Sequence, residues 1–319
     1  MLTLPDILAA RDRIAGRVHR TPVLSATRLG ERIPEGNGAR LTLKCESLQR
    51  TGSFKVRGAL NRVARLDAAA RARGVIAVSA GNHAQALAWA ARDAGVACTV
   101  VMPLTASRTK VAASRGYGAE VIQHGASSVE AFTHAYALAE ERGLTFVHPF
   151  EDPEVQAGQG TVGLEILEQV PDCDVVVVPV GGGGLIGGIV VAIREQRPSV
   201  KIYGVEPEGA AAMRRSLDAG RPVHLDAVHT IADGLAAPMA GELTYALVRR
   251  YVDDVVLVSD AEIASAMREL LLSAKLVVEG AGAAATAALL AGRIPVAGRH
   301  VVSVLSGGNV DTEVLKTVL

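Results

Sequence analysis

The sequence predicts an α/β protein with two open, largely parallel, twisted sheets flanked by helices and a ligand cleft between the sheets. Three observations lead there. Short β-branched runs alternate with alanine-rich amphipathic stretches, the pattern of βαβ units. The strand-like runs are continuously apolar, as in sheets covered on both faces. Loops rich in glycine, serine and asparagine follow several of these runs, and open α/β sheets bind ligands at the carboxyl ends of strands.

In order, the expected strands are Val75–Ser79, Cys98–Met102, Glu120–Gln123, Val175–Val178, Lys201–Val205, Val255–Val258 and Val301–Leu305. Segments such as Ala84–Ala94 and Glu262–Leu272 are the helices between them. The 319 residues suffice for one large domain or two moderate ones. One sheet is placed in a small domain, residues 49–147. Residues 1–48 and 148–319 make a large domain, and His148–Asp152 is the crossing between the two.

Lys+Arg and Asp+Glu number 33 each, so the net charge is zero and no basic patch for nucleic acid is signalled. Cys45, Cys98 and Cys173 are far apart, which gives neither a disulfide frame nor a zinc motif and suits a reducing cytoplasm. Val175–Ile193 is long and uncharged enough to suggest a membrane span. It holds Pro179 and six glycines, however, so strand, glycine loop and helix is the expected parse. Charged residues from Asp6 to Arg17 exclude a signal-peptide core.

Four loops carry the candidate chemistry. In Thr51-Gly52-Ser53-Phe54-Lys55, Ser53 is the expected N-cap of a helix running through Leu60 and Val63. Lys55 then lies in the first turn, where the helix dipole favours a neutral amine. By position alone it also reads as a solvated surface lysine. Ser79-Ala80-Gly81-Asn82-His83 follows a strand and opens a helix, so its N–H groups suit a carboxylate or phosphate, or it is an ordinary turn with an Asn cap. Gly181–Gly184 and Leu185 suit a phosphate. Gly182, Gly184 and Gly187, with Glu206 about twenty residues on, also fit the dinucleotide fingerprint, so a nicotinamide dehydrogenase is a rival. Ser306-Gly307-Gly308-Asn309 is either a contact for a heterocyclic nitrogen or a plain turn.

Together, TGSFKVRGA, SAGNHAQA, GGGGL and SGGN, with KCESLQRTGSFK, AGQGTVGLEI, ADG and VVEGAGA, resemble the fold-type II pyridoxal-phosphate enzymes, whose fold is like the tryptophan synthase β chain. Within them the chain resembles the threonine/serine dehydratase and serine racemase family, over nearly its whole length. The resemblance implies a short, catalytic-core type of chain, with the cofactor pyridoxal 5′-phosphate in the interdomain cleft. The large domain would bind it and the small domain would lie on the substrate side.

The resemblance further implies that Lys55 forms the Schiff base and Asn82 bonds the cofactor's 3′-oxygen. Gly181, Gly182, Gly183, Gly184 and Leu185 would hold its phosphate, and Ser306 its pyridine nitrogen. Phe54 would pack beside it and Glu279 would lie near it. Ser79, Ala80, Gly81, Asn82 and His83 would receive the substrate carboxylate. The reaction implied is β-elimination from threonine or serine, giving a 2-oxo acid and ammonia. Ser306, an uncharged partner for the ring nitrogen, favours prompt loss of the β-hydroxyl.

Racemases of the family carry a serine where this chain has Ala80, which disfavours racemisation. Another β-hydroxy amino acid, such as 3-hydroxyaspartate, and a non-catalytic amino-acid sensor are the other readings. Whether a divalent or monovalent cation binds is open. Glu206 and the Ala210 carbonyl match ligand positions, but Ala212 stands where an Asp is expected, and Glu206 is otherwise a strand-end surface acid. A homo-oligomer, dimer or tetramer, and an amino-acid substrate are the implied partners.

Overall fold

The computed structural model describes residues 1–318. Among them, ten strands form two sheets. The larger has the order β1 (Val23–Ser25), β2 (Arg40–Cys45), β10 (His300–Leu305), β7 (Val175–Pro179), β8 (Lys201–Pro207), β9 (Asp254–Val258). The smaller runs β5 (Glu120–Gln123), β4 (Cys98–Met102), β3 (Val75–Val78), β6 (Thr145–Phe146). Only β1 pairs antiparallel among these strands.

β3, β4 and β7 are buried along their whole length, as their valine-rich runs dictate. β5 departs from the expected apolar pattern: it is an edge strand, and Glu120 and Gln123 face solvent. Three strands escaped the sequence reading. β1 and β6 are too short to show a period, and β2 mixes Thr42 and Lys44 with its leucines. The uncharged stretch from Val175 divides into β7, a glycine loop and the helix Gly184–Arg194. No helix among the described residues is long and apolar enough to cross a membrane.

The central helix Pro153–Gln169 organises the rest. Asp152 caps it, accepting from the Glu154 and Val155 N–H groups. It packs against both the lysine helix Lys55–Ala64 and the glycine-loop helix Gly184–Arg194. Backbone nearly touches backbone at both crossings. A Cβ on Gly158 would lie 2.5 Å from the Arg57 carbonyl oxygen, and one on Gly188 would lie 2.4 Å from Gly160 N.

A buried charge network pins the lysine helix to this frame. Arg57 donates to both Glu46 oxygens (2.8 Å each) and to Glu165 (2.7 and 3.0 Å). Lys44 donates to Glu165 (2.5 Å), Gln169 (2.8 Å) and the Thr21 carbonyl (2.9 Å). Each buried charge has a partner, as low-dielectric surroundings demand.

Candidate active site

Lys55 is the first residue of its helix. Ser53 does not cap it. That residue is extended (φ −160°), bridges to Gly307, and its Oγ has no hydrogen-bond partner among the described residues, while Phe54 occupies the cap position. The preceding loop is strained: Thr51, a β-branched residue, sits at φ 61°, in the left-handed region. Contacts with the 306–309 loop hold it there. Phe54 N donates to Ser306 O (3.1 Å), Gly308 N to Gly52 O (2.9 Å), and Asn309 Nδ2 to Thr51 O (2.7 Å).

Lys55 Nζ donates to the Pro149 carbonyl at 2.9 Å and lies 5.2 Å from the Phe54 ring centre. Burial pulls its pKa down to about 8, against the attraction of Glu279. The surface-lysine reading therefore fails. His83 and His148 flank this lysine uncharged: burial, with the Lys55 charge adding to it, pushes them down to about 3 and about 4.

A polar ring lies at the start of the helix Asn82–Asp93. Asn82 Nδ2 donates to Glu279 Oε1 at 2.6 Å, and Asn82 Oδ1 accepts from Asn309 Nδ2 at 2.7 Å. Burial, with Asp233 adding to it, pushes Glu279 up to about 7, against the Asn82 hydrogen bond. Ser306 Oγ, buried, makes one long bond to Ala281 O (3.3 Å). In the 79–83 loop, Ser79 Oγ accepts from Gly81 N (3.1 Å). Asn82 and His83 lie in the first turn of the helix, and Gly81 is its cap. The His83 ring is not presented to the cleft as a free group: it is buried, and its Nε2 is 2.9 Å from Val147 O.

The glycine loop stands opposite. Gly183 has φ 89°, and a Cβ there would lie 2.8 Å from Thr244 Cβ. Thr244 Oγ1 donates to Gly182 O at 2.7 Å, which fixes the loop from behind. Leu185, in the first turn of the following helix, is buried.

The segment His148–Asp152, expected only as a crossing, belongs to the site. It supplies the Pro149 carbonyl to Lys55. Phe150 lies against the glycine loop, so that a Cβ at Gly182 would be 2.3 Å from its ring. His148 Nδ1 accepts from Glu151 N (2.8 Å), and Glu151 Oε1 accepts from Leu243 N (2.6 Å). The signal was available: this segment directly follows the carboxyl end of β6, where ligand loops are expected.

Glu206 is not a surface acid. It is fully buried, and its two oxygens accept from Met213 N (2.8 Å) and Arg214 N (2.7 Å) at the start of the helix Ala212–Ala219. Burial pushes it up to about 8. A role on a ribose is thereby lost. Among the described residues, no group of three or more His, Cys, Asp or Glu could hold a metal ion.

These residues fit pyridoxal phosphate. A glycine cradle that admits no side chain opens a helix, as a phosphate requires. An amine depressed toward neutrality lies beside it, as covalent attachment to an aldehyde requires. Ser306 gives an uncharged hydroxyl partner.

The profile of the "Pyridoxal-phosphate dependent enzyme" family matches residues 14–307. The chain is 47% identical over 319 residues to an L-threonine ammonia-lyase of Thermotoga maritima, covering all of this chain and 78% of that one. Among solved structures, maize serine racemase superposes with TM-score 0.94 at 39% identity, covering 99% of this chain and 96% of that one. The processed threonine deaminase isoform 2 of Solanum lycopersicum gives 0.92 at 39%, covering 99% and 91%. With the cradle, the amine and the polar ring in place, the chain belongs to the pyridoxal-phosphate dependent enzyme family.

Proposed function

We propose that the protein is an ammonia-lyase that deaminates L-threonine, and L-serine as a second substrate, to the 2-oxo acid. Full-length identity to an L-threonine ammonia-lyase supports the substrate. The observation that carries the reaction type is the pairing of the depressed Lys55 amine with an alanine at position 80, where the racemases that the sequence resembles carry a serine. Lys55 stands on one side, whereas Ala80 offers no hydroxyl and Ser79 Oγ is engaged with Gly81 N.

Pyridoxal phosphate, when bound, supplies the electron sink for cleavage at the substrate's α-carbon. The residues do the rest. The Gly181–Gly184 and Leu185 N–H groups would hold its phosphate, and Lys55 Nζ would be its attachment point. With a pKa near 8, a sizeable fraction of Lys55 is neutral at physiological pH and can take the α-proton. The N–H groups of Ala80, Asn82 and His83, at a helix start where the dipole favours an anion, would receive the substrate carboxylate, whereas those of Ser79 and Gly81 are engaged with Val101 O and Ser79 Oγ. Asn82, oriented by Glu279 and Asn309, keeps one amide hydrogen for the cofactor's 3′-oxygen. Ser306 would hydrogen-bond the ring nitrogen without bringing a charge, and Phe54 would pack beside the ring. The β-hydroxyl leaves as water, and the released enamine hydrolyses to the 2-oxo acid and ammonia.

Residues 1–48 and 148–319 are taken as the cofactor-binding part and 49–147 as the substrate-side part, in keeping with the two sheets. Exposed Leu24, Leu48, Leu272 and Val277 support assembly into a homo-oligomer. Three free, buried cysteines support a reducing, cytoplasmic location. The test is direct. The holoenzyme with L-threonine should release 2-oxo acid and ammonia in equal amounts, and Lys55→Ala should release none. Binding of threonine without ammonia would mark a sensor and refute the reading.

A further inference from the structure

Three consecutive residues connect the attachment lysine with the glycine cradle. The Pro149 carbonyl accepts from Lys55 Nζ at 2.9 Å. Phe150 is packed on the cradle: a Cβ on Gly182 would lie 2.3 Å from its ring, and one on Gly184 would lie 2.9 Å from its Cβ. Glu151 reaches the same loop through the helix Glu242–Tyr251. The segment itself is held fast. His148 Nδ1 accepts from Glu151 N (2.8 Å), and Gln156 Nε2 donates to Phe150 O (2.9 Å). Arg62, on the lysine helix, donates from Nε to Asp152 Oδ2 (2.8 Å).

The helix Glu242–Tyr251 starts after Gly241, which has no side chain to cap it. The cap comes from Glu151, whose Oε1 accepts from Leu243 N at 2.6 Å. Its Oε2 fills the space a side chain at 241 would need, since a Cβ on Gly241 would lie 1.6 Å from it. Burial raises the Glu151 pKa, and the N–H groups of Leu243, Thr244 and Glu242 oppose the rise. A carboxylate at a helix N-terminus satisfies free N–H groups and meets the positive end of the dipole. Thr244, fully buried, lies in this first turn. Its one hydroxyl hydrogen has two acceptors in range, Gly182 O at 2.7 Å and Gly241 O at 3.1 Å, and the cradle carbonyl is the nearer.

We propose that Glu151 and Thr244 are positioning residues for cofactor capture: Glu151 caps the helix from outside it, Thr244 in the capped turn sets the glycine cradle, and residues 149–151 thereby fix the span between the cradle and the Lys55 amine. The proposal rests on the assignment of the phosphate to Gly181–Gly184 and of the aldehyde to Lys55. Both residues act through the cradle's backbone. The Gly182 carbonyl shares a peptide plane with the Gly183 N–H, and in a trans peptide the two point in opposite directions. A carbonyl held by Thr244 therefore aims the Gly183 N–H the other way, as a donor for the phosphate.

The test loads the full-length chain, stripped of cofactor, with pyridoxal 5′-phosphate and with pyridoxal, which has the aldehyde but no phosphate. Affinity for each is read from the absorption of the bound aldehyde, and folding from the Tm of the apoenzyme. The wild type should bind the phosphate-bearing aldehyde more tightly. Thr244→Val leaves a buried carbonyl unpaired and should lower affinity for pyridoxal phosphate about ten-fold, with pyridoxal affinity held within about two-fold. Thr244→Ser keeps the hydroxyl and should restore the affinity. Glu151→Ala should act like Thr244→Val, and Glu151→Gln, which keeps an oxygen for Leu243 N, should lie close to wild type. The double variant Glu151→Ala/Thr244→Val should lose no more than the larger single loss, because both act through one helix turn.

A loss confined to the phosphate-bearing aldehyde separates positioning from damage to the fold, which would weaken both aldehydes together. Equal losses for the two, or a phosphate preference intact in both Thr244→Val and Glu151→Ala, would overturn the proposal. A wild type without any preference for the phosphate would refute the assignment of the cradle, and the proposal with it. No turnover is measured, so the outcome is independent of the deamination proposed above.

Discussion

Gly158→Ala tests whether the contact between two helices sets the position of the attachment lysine. A Cβ at Gly158 would lie 2.5 Å from the Arg57 carbonyl oxygen and 2.6 Å from Gly58 Cα. Non-bonded contacts settle at about 3.5 Å, so the lysine helix must retreat by about 1 Å. The opposing atoms are backbone and cannot rotate aside, which puts the overpacking cost toward the upper part of its usual range of about 1–3 kcal/mol. Alanine's better helix propensity offsets about 1 kcal/mol of that. The expected net loss is about 1–2 kcal/mol of stability.

The larger effect is on chemistry. Lys55 precedes Gly58 by three residues in the same helix, so the displacement is carried to Nζ and its bond to Pro149 O. A misplacement of about 1 Å at a reacting group can cost about a hundred-fold in rate. Thermal unfolding of the apoenzyme, cofactor loading by absorbance and ammonia release would be measured together. Gly116→Ala is the control, because a Cβ there meets nothing within 4 Å. A Gly158→Ala protein that melts, loads and turns over like wild type would refute the reasoning.

Other outcomes follow from the same geometry. Capture of the cofactor needs a neutral Lys55 amine, so the capture rate of the apoenzyme should climb with pH and level off above about 8; stopped-flow absorbance would reveal a flat profile if this is wrong. Ala80→Ser adds a hydroxyl at the position where the racemases that the sequence resembles carry one. With L-serine it should raise the ratio of D-serine to 2-oxo acid by about ten-fold or more, as a new acid/base group does, and chiral chromatography would show an unchanged ratio if Ala80 is irrelevant. Chelator treatment should leave activity intact, because backbone N–H groups occupy both Glu206 oxygens. Loss of activity restored by Mg²⁺ would contradict this. Glu206→Ala, by contrast, strands two buried N–H groups and should cost about 1–3 kcal/mol, seen as a lower Tm.

Where strands are buried on both faces, the sequence is a good guide. β4 begins and ends where its run does, and β3, β7 and β10 differ from expectation by one residue. β2 was missed because its polar positions are buried by partners distant in sequence: Lys44 answers to Glu165, and Thr42 Oγ1 lies 2.9 Å from the His300 ring. The same blindness made Glu206 look like a surface acid, since its partners are backbone N–H groups that no residue type announces.

Ser53 illustrates competition between local and distant preferences. A serine ahead of a helix reads as a cap, but the bridge to Gly307 pulls it into an extended conformation. The four loops stood out in the sequence because phosphate and amine chemistry constrain residue type. His148–Asp152 was not, because its contributions to the site are a backbone carbonyl and the packing of Phe150 on glycine.

The pairing of β2 with β10 has a consequence for how the protein comes into being. Arg40 to Cys45 lie beside His300 to Leu305, so one strand made early in synthesis is completed by one made much later. β10 is also the bridge from β2 to β7, and without it the larger sheet is two fragments. Ser306 and Asn309 lie just beyond it, and their loop clamps the segment that carries Lys55. Such distant contacts form slowly, after the entropy of closing long loops has been overcome. On the ribosome the smaller sheet, whose strands lie between residues 75 and 146, can assemble first, while the amine waits in an unclosed site. Capture of the cofactor by a nascent chain would then report that the last strand has docked, and C-terminal truncations that remove β10 should remain colourless however well their smaller sheet has formed.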